Sequence, residues 1–360
     1  MEELKLADIP VTFVYIGDRI PSYALHSLQM ARKYSGQEIL LLANRSAIAR
    51  IKELDFPVVE IESFYNPLNF QSIQKKLVGD AKFRNSLWLR SLERFFVLEQ
   101  YLSWAEKSEV FHAELDQFLF NTSKLVTKLR GTGINGTFFP VHSQDAVVAS
   151  VMYCNNLSAL RAFLQFAKNA SSFSSEMGLL AQWARSELDH NFVELPATHH
   201  FIFGHMLPVF PNTRLIPPNE LQGVVDPAEL GQWFMGIDPR NVPFTQRPMN
   251  KFVGPESNTN LSQFDLSGIS LALESDSNSL MLKLVDGRTL QIFNLHNHSK
   301  IHKKEFLDEG YFQDFLEIIN DPHKHSFSGT RTAQVIDILK SYTYLIIRRV
   351  TRWLKKNEIS

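Results

Sequence analysis

Three short apolar runs near the start of the chain, VTFVYIG (11–17), EILLLAN (38–44) and FPVVEIES (56–63), constrain its fold more than any other feature. Each has a strand's length and a strand-like composition, and a helical pattern from Tyr23 to Tyr34 separates the first two. A strand that is apolar on both faces must be covered on both, and a helix between consecutive strands is the connection that parallel pairing requires. The pattern predicts an α/β fold with a mostly parallel sheet between helical layers. NSLWLRSLERFFVLEQYLSWAEK continues the alternation, because Leu87, Leu92, Phe95, Phe96, Leu98 and Leu102 follow helical spacing with charges on the opposite side. With 360 residues, 44% of them hydrophobic, the chain is long enough to bury one large α/β core or two smaller ones.

The segment after that helix, EVFHAELDQFLF (109–120), reads as a strand. Alternation would put His112, Glu114 and Asp116 on one face. Two carboxylates side by side either face open water or hold a cation between them. Ligands of open α/β sheets gather at the carboxyl ends of the strands, and Glu114 and Asp116 stand at such an end. The middle of the chain reads as mostly helical, through QDAVVASVMYCNNLSALRAFLQFAKNA and then SSEMGLLAQWARSEL, where Ser174 and Ser175 are candidate caps. VDPAELGQWFMGIDPRN (225–241) reads as a short helix running into an Asp-Pro turn. From Ser267 the pattern turns to β, and Asp286-Gly287 between two alternating runs marks a hairpin.

Several function classes are disfavoured. A formal net charge of −1 lacks the electrostatic footprint of a nucleic-acid-binding protein. A single cysteine, Cys154, allows no internal disulfide and no cysteine-rich zinc site, and it suits a reducing compartment. The acidic start MEELKLADIP is unlike a signal peptide, and no run reaches the length of a membrane span. These features predict a soluble, cytoplasmic protein. The turn after the first strand, GDRIPSY, lacks the Gly-x-Gly-x-x-Gly of dinucleotide-binding folds. Neither a phosphate-binding P-loop nor a Gly-x-Ser-x-Gly nucleophile motif occurs.

What remains is the acidic pair and a late cluster, LHNHSK, with His296, His298 and Lys300. Mg²⁺ and Mn²⁺ take one or two carboxylates and complete their shell with phosphates and water, and Mn²⁺ also accepts imidazole. A nearby lysine would offset diphosphate charge. These are the parts of a site that binds a nucleoside diphosphate through a metal.

The succession of an apolar first strand, LWLRSLERFFVLEQYL, the run ending HAELD, then SSEMGLLAQW, GQWFMGIDPRN and NLHNHSK resembles nucleotide-sugar-dependent glycosyltransferases of the GT-A fold. It is similar in particular to bacterial enzymes of surface polysaccharide synthesis, of the capsule and lipopolysaccharide type. The resemblance spans roughly residues 11–305. It implies a Rossmann-like central sheet flanked by helices, with the late β-hairpin and C-terminal helices added. Residues 1–305 would form the catalytic domain, about 1–120 the nucleotide-sugar half and 121–305 the acceptor half, with 306–360 a helical extension. It further implies that ELD is the Asp-x-Asp-type element. Asp116 is then the expected ligand of Mn²⁺ or Mg²⁺, and Glu114, a departure from the commoner Asp, contacts the metal or the ribose. A late ligand maps onto His298 or His296, and a diphosphate contact onto Lys300; apart from the resemblance, Arg94 is a candidate for a phosphate or substrate contact of the donor. The partners implied are a nucleotide-sugar donor and a glycan or lipid-linked glycan acceptor.

An inverting transferase also needs a base near the acceptor hydroxyl. Glu176 leads the candidates, ahead of Asp238, Asp145 and Asp226. Each has a plainer reading: Glu176 suits a first helical turn, and Asp238 before Pro239 suits a turn. Arg84, Arg90 and Arg94 would serve equally as partners of neighbouring acids. The pairs His199-His200 and His323-x-His325 carry no ligand spacing that calls for a metal. SYTYLIIRRVTRWLKKNEIS would form a basic amphipathic helix, suited to an anionic membrane surface or to packing on the core. Two other readings stay open, a nucleotidyltransferase using the same acidic pair and a non-catalytic glycan-binding or assembly protein.

Overall fold

The computed structural model describes residues 9–51, 56–78, 86–186, 191–203, 207–231, 269–284 and 286–297, together with Phe312 and Leu316. The chain opens with β1 (Val11–Tyr15), α1 (Ser22–Tyr34), β2 (Ile39–Ala43), α2 (Arg45–Ile48), β3 (Val58–Glu60), α3 (Leu68–Gln74) and α4 (Leu87–Trp104). It continues with β4 (Val110–Ala113), β5 (Gln117–Leu119), α5 (Thr122–Gly131), β6 (Thr137–Ser143), β7 (Ala146–Val147) and β8 (Val151–Cys154). Then come α6 (Leu157–Asn169), α7 (Glu176–Ser186), β9 (Phe192–Leu195), α8 (Thr198–Phe203), β10 (Arg214–Leu215), α9 (Pro218–Leu221) and β11 (Gly223–Val224). The last described strands are β12 (Ser270–Glu274), β13 (Ser279–Lys283), β14 (Thr289–Ile292) and β15 (Asn294–His296).

The main sheet runs β10-β9-β6-β8-β4-β1-β2-β3, with β7 paired to β6. Pairing is parallel at β1–β2, β1–β4, β2–β3, β6–β9 and β9–β10, while β8 runs antiparallel between β4 and β6. This is the expected α/β fold with a mixed, mostly parallel sheet. All strands but β7 and β8 therefore end at one edge, and that edge carries the site.

Alternate residues of one strand feed two layers, as a period of two requires. In β1, Val11 and Phe13 join the core under α1 and α5, while Val14 joins the core under α3, α4, α6 and α7. The second of these is aromatic, with Phe95 edge-on to Phe163 and Phe139. A third core lies between α1, β5 and a smaller sheet of order β11-β14-β13-β12. Its hairpin has the expected turn: Gly287 takes φ +83°, which a residue with a Cβ rarely adopts.

Two sequence readings are corrected. Residues 144–156 are not helical, since β7 and β8 fill much of that stretch and the helix begins only at Leu157, where the Asn156 side chain accepts from Ser158 N (3.0 Å). VMYC is short, fully buried and flanked on both sides by strands, so burial in the sheet overrides the helical pattern. The segment 109–120 is two strands rather than one, with a turn between them closed by Gln117 N donating to Glu114 O at 3.2 Å.

Candidate functional site

That turn decides where the acids point. β4 ends at Ala113, and Glu114, whose N still donates to Ser150 O (3.0 Å), follows at the carboxyl edge of the sheet. His112 stays inside the sheet. Its Nδ1 donates to Thr12 O at 2.8 Å, and burial, with the charge of Arg94, pushes its pKa down to about 3. His112 therefore belongs to the core and not to a polar row with the two acids.

β5 begins directly after Asp116 and pairs antiparallel with β15, placing Gln117 opposite His296. Asn297 N donates to Asp116 O (2.7 Å) and tightens the join. His296 Nε2 thereby lies 3.3 Å from Asp116 Oδ2. Glu114, Asp116 and His296 each offer a ligand atom within 4.8 Å of the others, the one such group among the described residues.

The donor set fits a divalent cation. His296 Nδ1 lies 3.1 Å from Pro227 O, and a carbonyl only accepts, so Nδ1 carries the proton. In the neutral ring Nε2 then presents a lone pair to a carboxylate oxygen at 3.3 Å, an arrangement that repels unless a cation or a proton lies between them. A backbone carbonyl fixing the outer nitrogen is also how metal-binding imidazoles are oriented. Two carboxylates and an imidazole suit Mn²⁺, and with more water Mg²⁺.

Behind this group lies a buried ion triad. Arg94 of α4, with a side chain 8% exposed, donates from Nη1 to Glu114 Oε1 (2.5 Å) and from Nη2 to Glu176 Oε1 (3.1 Å). Glu176 starts α7, whose first turn is capped by Ser175 Oγ accepting from Gly178 N (3.1 Å). One cation between two carboxylates leaves a net negative charge in a sealed place. Burial, reinforced by Glu114 and opposed by Arg94, lifts the Glu176 carboxyl to about 7. The sequence placed Arg94 against the donor and Glu176 in an open cleft; instead each turns inward on the other, and the Glu176 side chain is only 4% exposed. Arg90 pairs with Glu93 at 2.6 Å.

A second acidic pair was invisible in sequence. Asp226 is buried and accepts from Leu230 N (3.0 Å), Gly231 N (2.8 Å) and His296 N (3.1 Å), so it caps the helical turn at 229–231 and anchors β15. Its carboxyl is pushed up by burial and by the charge of Glu229, against these donors. Asp226 was a candidate base, yet its oxygens are spent on backbone. Glu229, not singled out from sequence, is buried and accepts from His142 Nδ1 (2.9 Å) and Thr198 Oγ1 (2.8 Å), with His199 Nδ1 at 3.4 Å. Burial works against its charge, but the neighbouring imidazoles prevail and hold it at about 2. His200 is a satisfied core residue, accepting from Ala197 N (3.1 Å). Spacing offered no hint of this group, because His142, Thr198 and Glu229 come from three separate elements.

Asp145 is 93% exposed and lies 3.5 Å from Arg185. His298, Lys300, Asp238, Arg84, His323, His325 and the C-terminal segment lie outside the described residues. No described helix is long and apolar enough to cross a membrane.

Fold and site together define an α/β protein with a carboxylate–imidazole group, able to hold a metal ion, at the carboxyl edge of its sheet. No protein-family model matches the chain, and no curated protein does. Among solved structures it is similar to mouse xyloside xylosyltransferase 1 in its apo form, at 11% identity and a TM-score of 0.38, over 55% of this chain and 90% of that one.

Proposed function

We propose that this chain is a metal-dependent glycosyltransferase of the GT-A type that moves a sugar from a nucleotide-sugar donor to a glycan or lipid-linked glycan acceptor in surface polysaccharide synthesis. The observation that carries the reading is the convergence of Glu114, Asp116 and His296 at the edge where α/β sheets bind ligands. It joins the Asp-x-Asp-type ELD element to the late NLHNHSK motif, two of the segments that carry the family resemblance.

Asp116 and His296 hold the ion, with Glu114 as third ligand or ribose contact and His298 the neighbouring alternative. Bound there, Mn²⁺ or Mg²⁺ supplies Lewis-acid stabilisation of the negative charge that develops on the departing diphosphate. Lys300, a few residues beyond His296, adds a positive charge for the same diphosphate. Arg94 does not reach the donor directly; it holds the Glu114 carboxylate in place, and Glu176 fixes Arg94 from behind. Pro227 and Asp226 do the same for His296 through its ring and its backbone N–H. Such preorganisation matters because a catalytic group misplaced by about 1 Å costs on the order of 10²-fold. The segment up to about residue 120 serves the donor, 121–305 the acceptor, and the basic C-terminal sequence SYTYLIIRRVTRWLKKNEIS brings the enzyme to a membrane-borne acceptor from the cytoplasmic side.

The test is turnover of a panel of nucleotide sugars with Mn²⁺ or Mg²⁺, scored as transfer or slow donor hydrolysis. Activity should disappear with a chelator and in Asp116→Ala. Turnover that persists under both conditions rejects the metal-site assignment.

A further inference from the structure

The group around Glu229 has no part in holding the ion, and among the described candidates Glu176 is sealed and Asp226 is spent on backbone. Resting on the transferase reading above, we propose that His142, oriented by Glu229, is the base that takes the proton from the acceptor hydroxyl.

The geometry supports this from three directions. An ionised carboxylate only accepts, so the 2.9 Å contact to Glu229 Oε1 puts the proton of the neutral imidazole on His142 Nδ1 and makes Nε2 its basic nitrogen. This is the arrangement by which a buried acid fixes the tautomer of a catalytic histidine. Glu229 is itself held by Thr198 Oγ1 (2.8 Å), and the His199 ring stands beside it with Nδ1 at 3.4 Å.

Location is the second direction. His142 is the penultimate residue of β6, whose carboxyl end lies on the same edge as that of β4, with only β8 between them. Two strand spacings put the ends of β6 and β4 about 10 Å apart, and a gap of that order takes a sugar ring. The His142 side chain keeps 18% exposure, unlike that of Glu176.

The third is rigidity. The segment carrying Glu229 is tied to the metal-binding group by Ser150 Oγ donating to Asp226 O (3.1 Å), by His296 N donating to Asp226 Oδ2 (3.1 Å), and by the Pro227 O contact to His296 Nδ1 (3.1 Å). Base and cation site therefore share one frame.

The step balances as a single displacement. The acceptor O–H bond breaks with its proton going to His142 Nε2, the oxygen forms the new bond to the sugar C1, and the C1–O bond to the diphosphate breaks with its electron pair leaving on the diphosphate. Attack and departure on opposite faces invert the anomeric centre. Glu229 stabilises the imidazolium without taking its proton, as a positioning residue.

Two measurements test this. In ¹⁵N NMR of the unmodified protein, the neutral ring of His142 should be the Nδ1–H tautomer, and Glu229→Gln should disturb that signature; an Nε2–H tautomer overturns the proposal. In kinetics, His142→Gly should lower kcat by roughly 10²–10⁴-fold with the donor KM and calorimetric Mn²⁺ binding retained, and added imidazole should restore part of the rate. An undiminished kcat, or a product of retained configuration, overturns it while leaving the transferase reading intact. Absence of any nucleotide-sugar turnover in the unmodified protein, with the tautomer as expected, brings down the transferase reading and this inference with it.

Discussion

Replacing Glu176 with glutamine tests the buried ion triad through its protons. In the folded protein burial raises this carboxyl from 4.5 to about 7, Glu114 adds to the rise and Arg94 opposes it. The unfolded chain releases the proton near pH 4.5, whereas the folded chain keeps it until about pH 7. Between those values the folded state binds more protons, so the contribution of Glu176 to stability is fully present below pH 4.5 and is lost as pH rises towards 7. At about 1.4 kcal/mol per pH unit the loss comes to about 3 kcal/mol. Glu176→Gln keeps the shape and has no proton to lose. Urea unfolding of both proteins at steps from pH 4.5 to 7.5 should show the wild type losing about 3 kcal/mol relative to the variant across that range. Parallel stability curves would refute the argument, since they would mean that Glu176 ionises alike in both states and that Arg94 neutralises it fully.

Other substitutions probe the remaining parts of the frame. His112 has the opposite sign: its folded pKa lies near 3 against an ordinary 6.5, so the stability it confers is present above 6.5 and is lost as pH falls towards 3. His112→Gln should flatten that acid limb by up to about 1.4 kcal/mol per pH unit, read from the same unfolding series. A Cβ at Gly231 would sit 1.9 Å from His296 O and 2.9 Å from His296 N, both backbone atoms that cannot yield cheaply. Gly231→Ala should therefore weaken calorimetric Mn²⁺ binding at least tenfold and cost about 1–3 kcal/mol of stability, although it alters no ligand. Phe95→Ala, at a fully buried ring packed on Phe139 and Phe163, should cost about 3–5 kcal/mol in urea unfolding.

Local sequence determined most of the scaffold. β1, β2 and β3, the long α4, the hairpin turned by Asp286-Gly287 and the acids at the end of β4 follow from periods of two and 3.6 and from turn chemistry, all read within about a dozen residues. Where that reading failed, at β8, the reason was burial between two distant strands, which no local pattern encodes. The acidic pair was legible as a candidate, but not the turn that swings Glu114 and Asp116 away from His112.

Only the tertiary structure decided who meets whom. His296 and His298 are equivalent by alternation, and it is the pairing of β15 with β5 that brings His296 to Asp116. Arg94 and Glu176 each had a solvent-facing reading, and the packing of α4 and α7 on the sheet turned them onto each other. His142, Thr198 and Glu229 share no motif at all. Side-chain periodicity reports which face of an element is buried, whereas the meeting of charged groups depends on how elements far apart in the chain register against one another, and that register is set by packing the whole core.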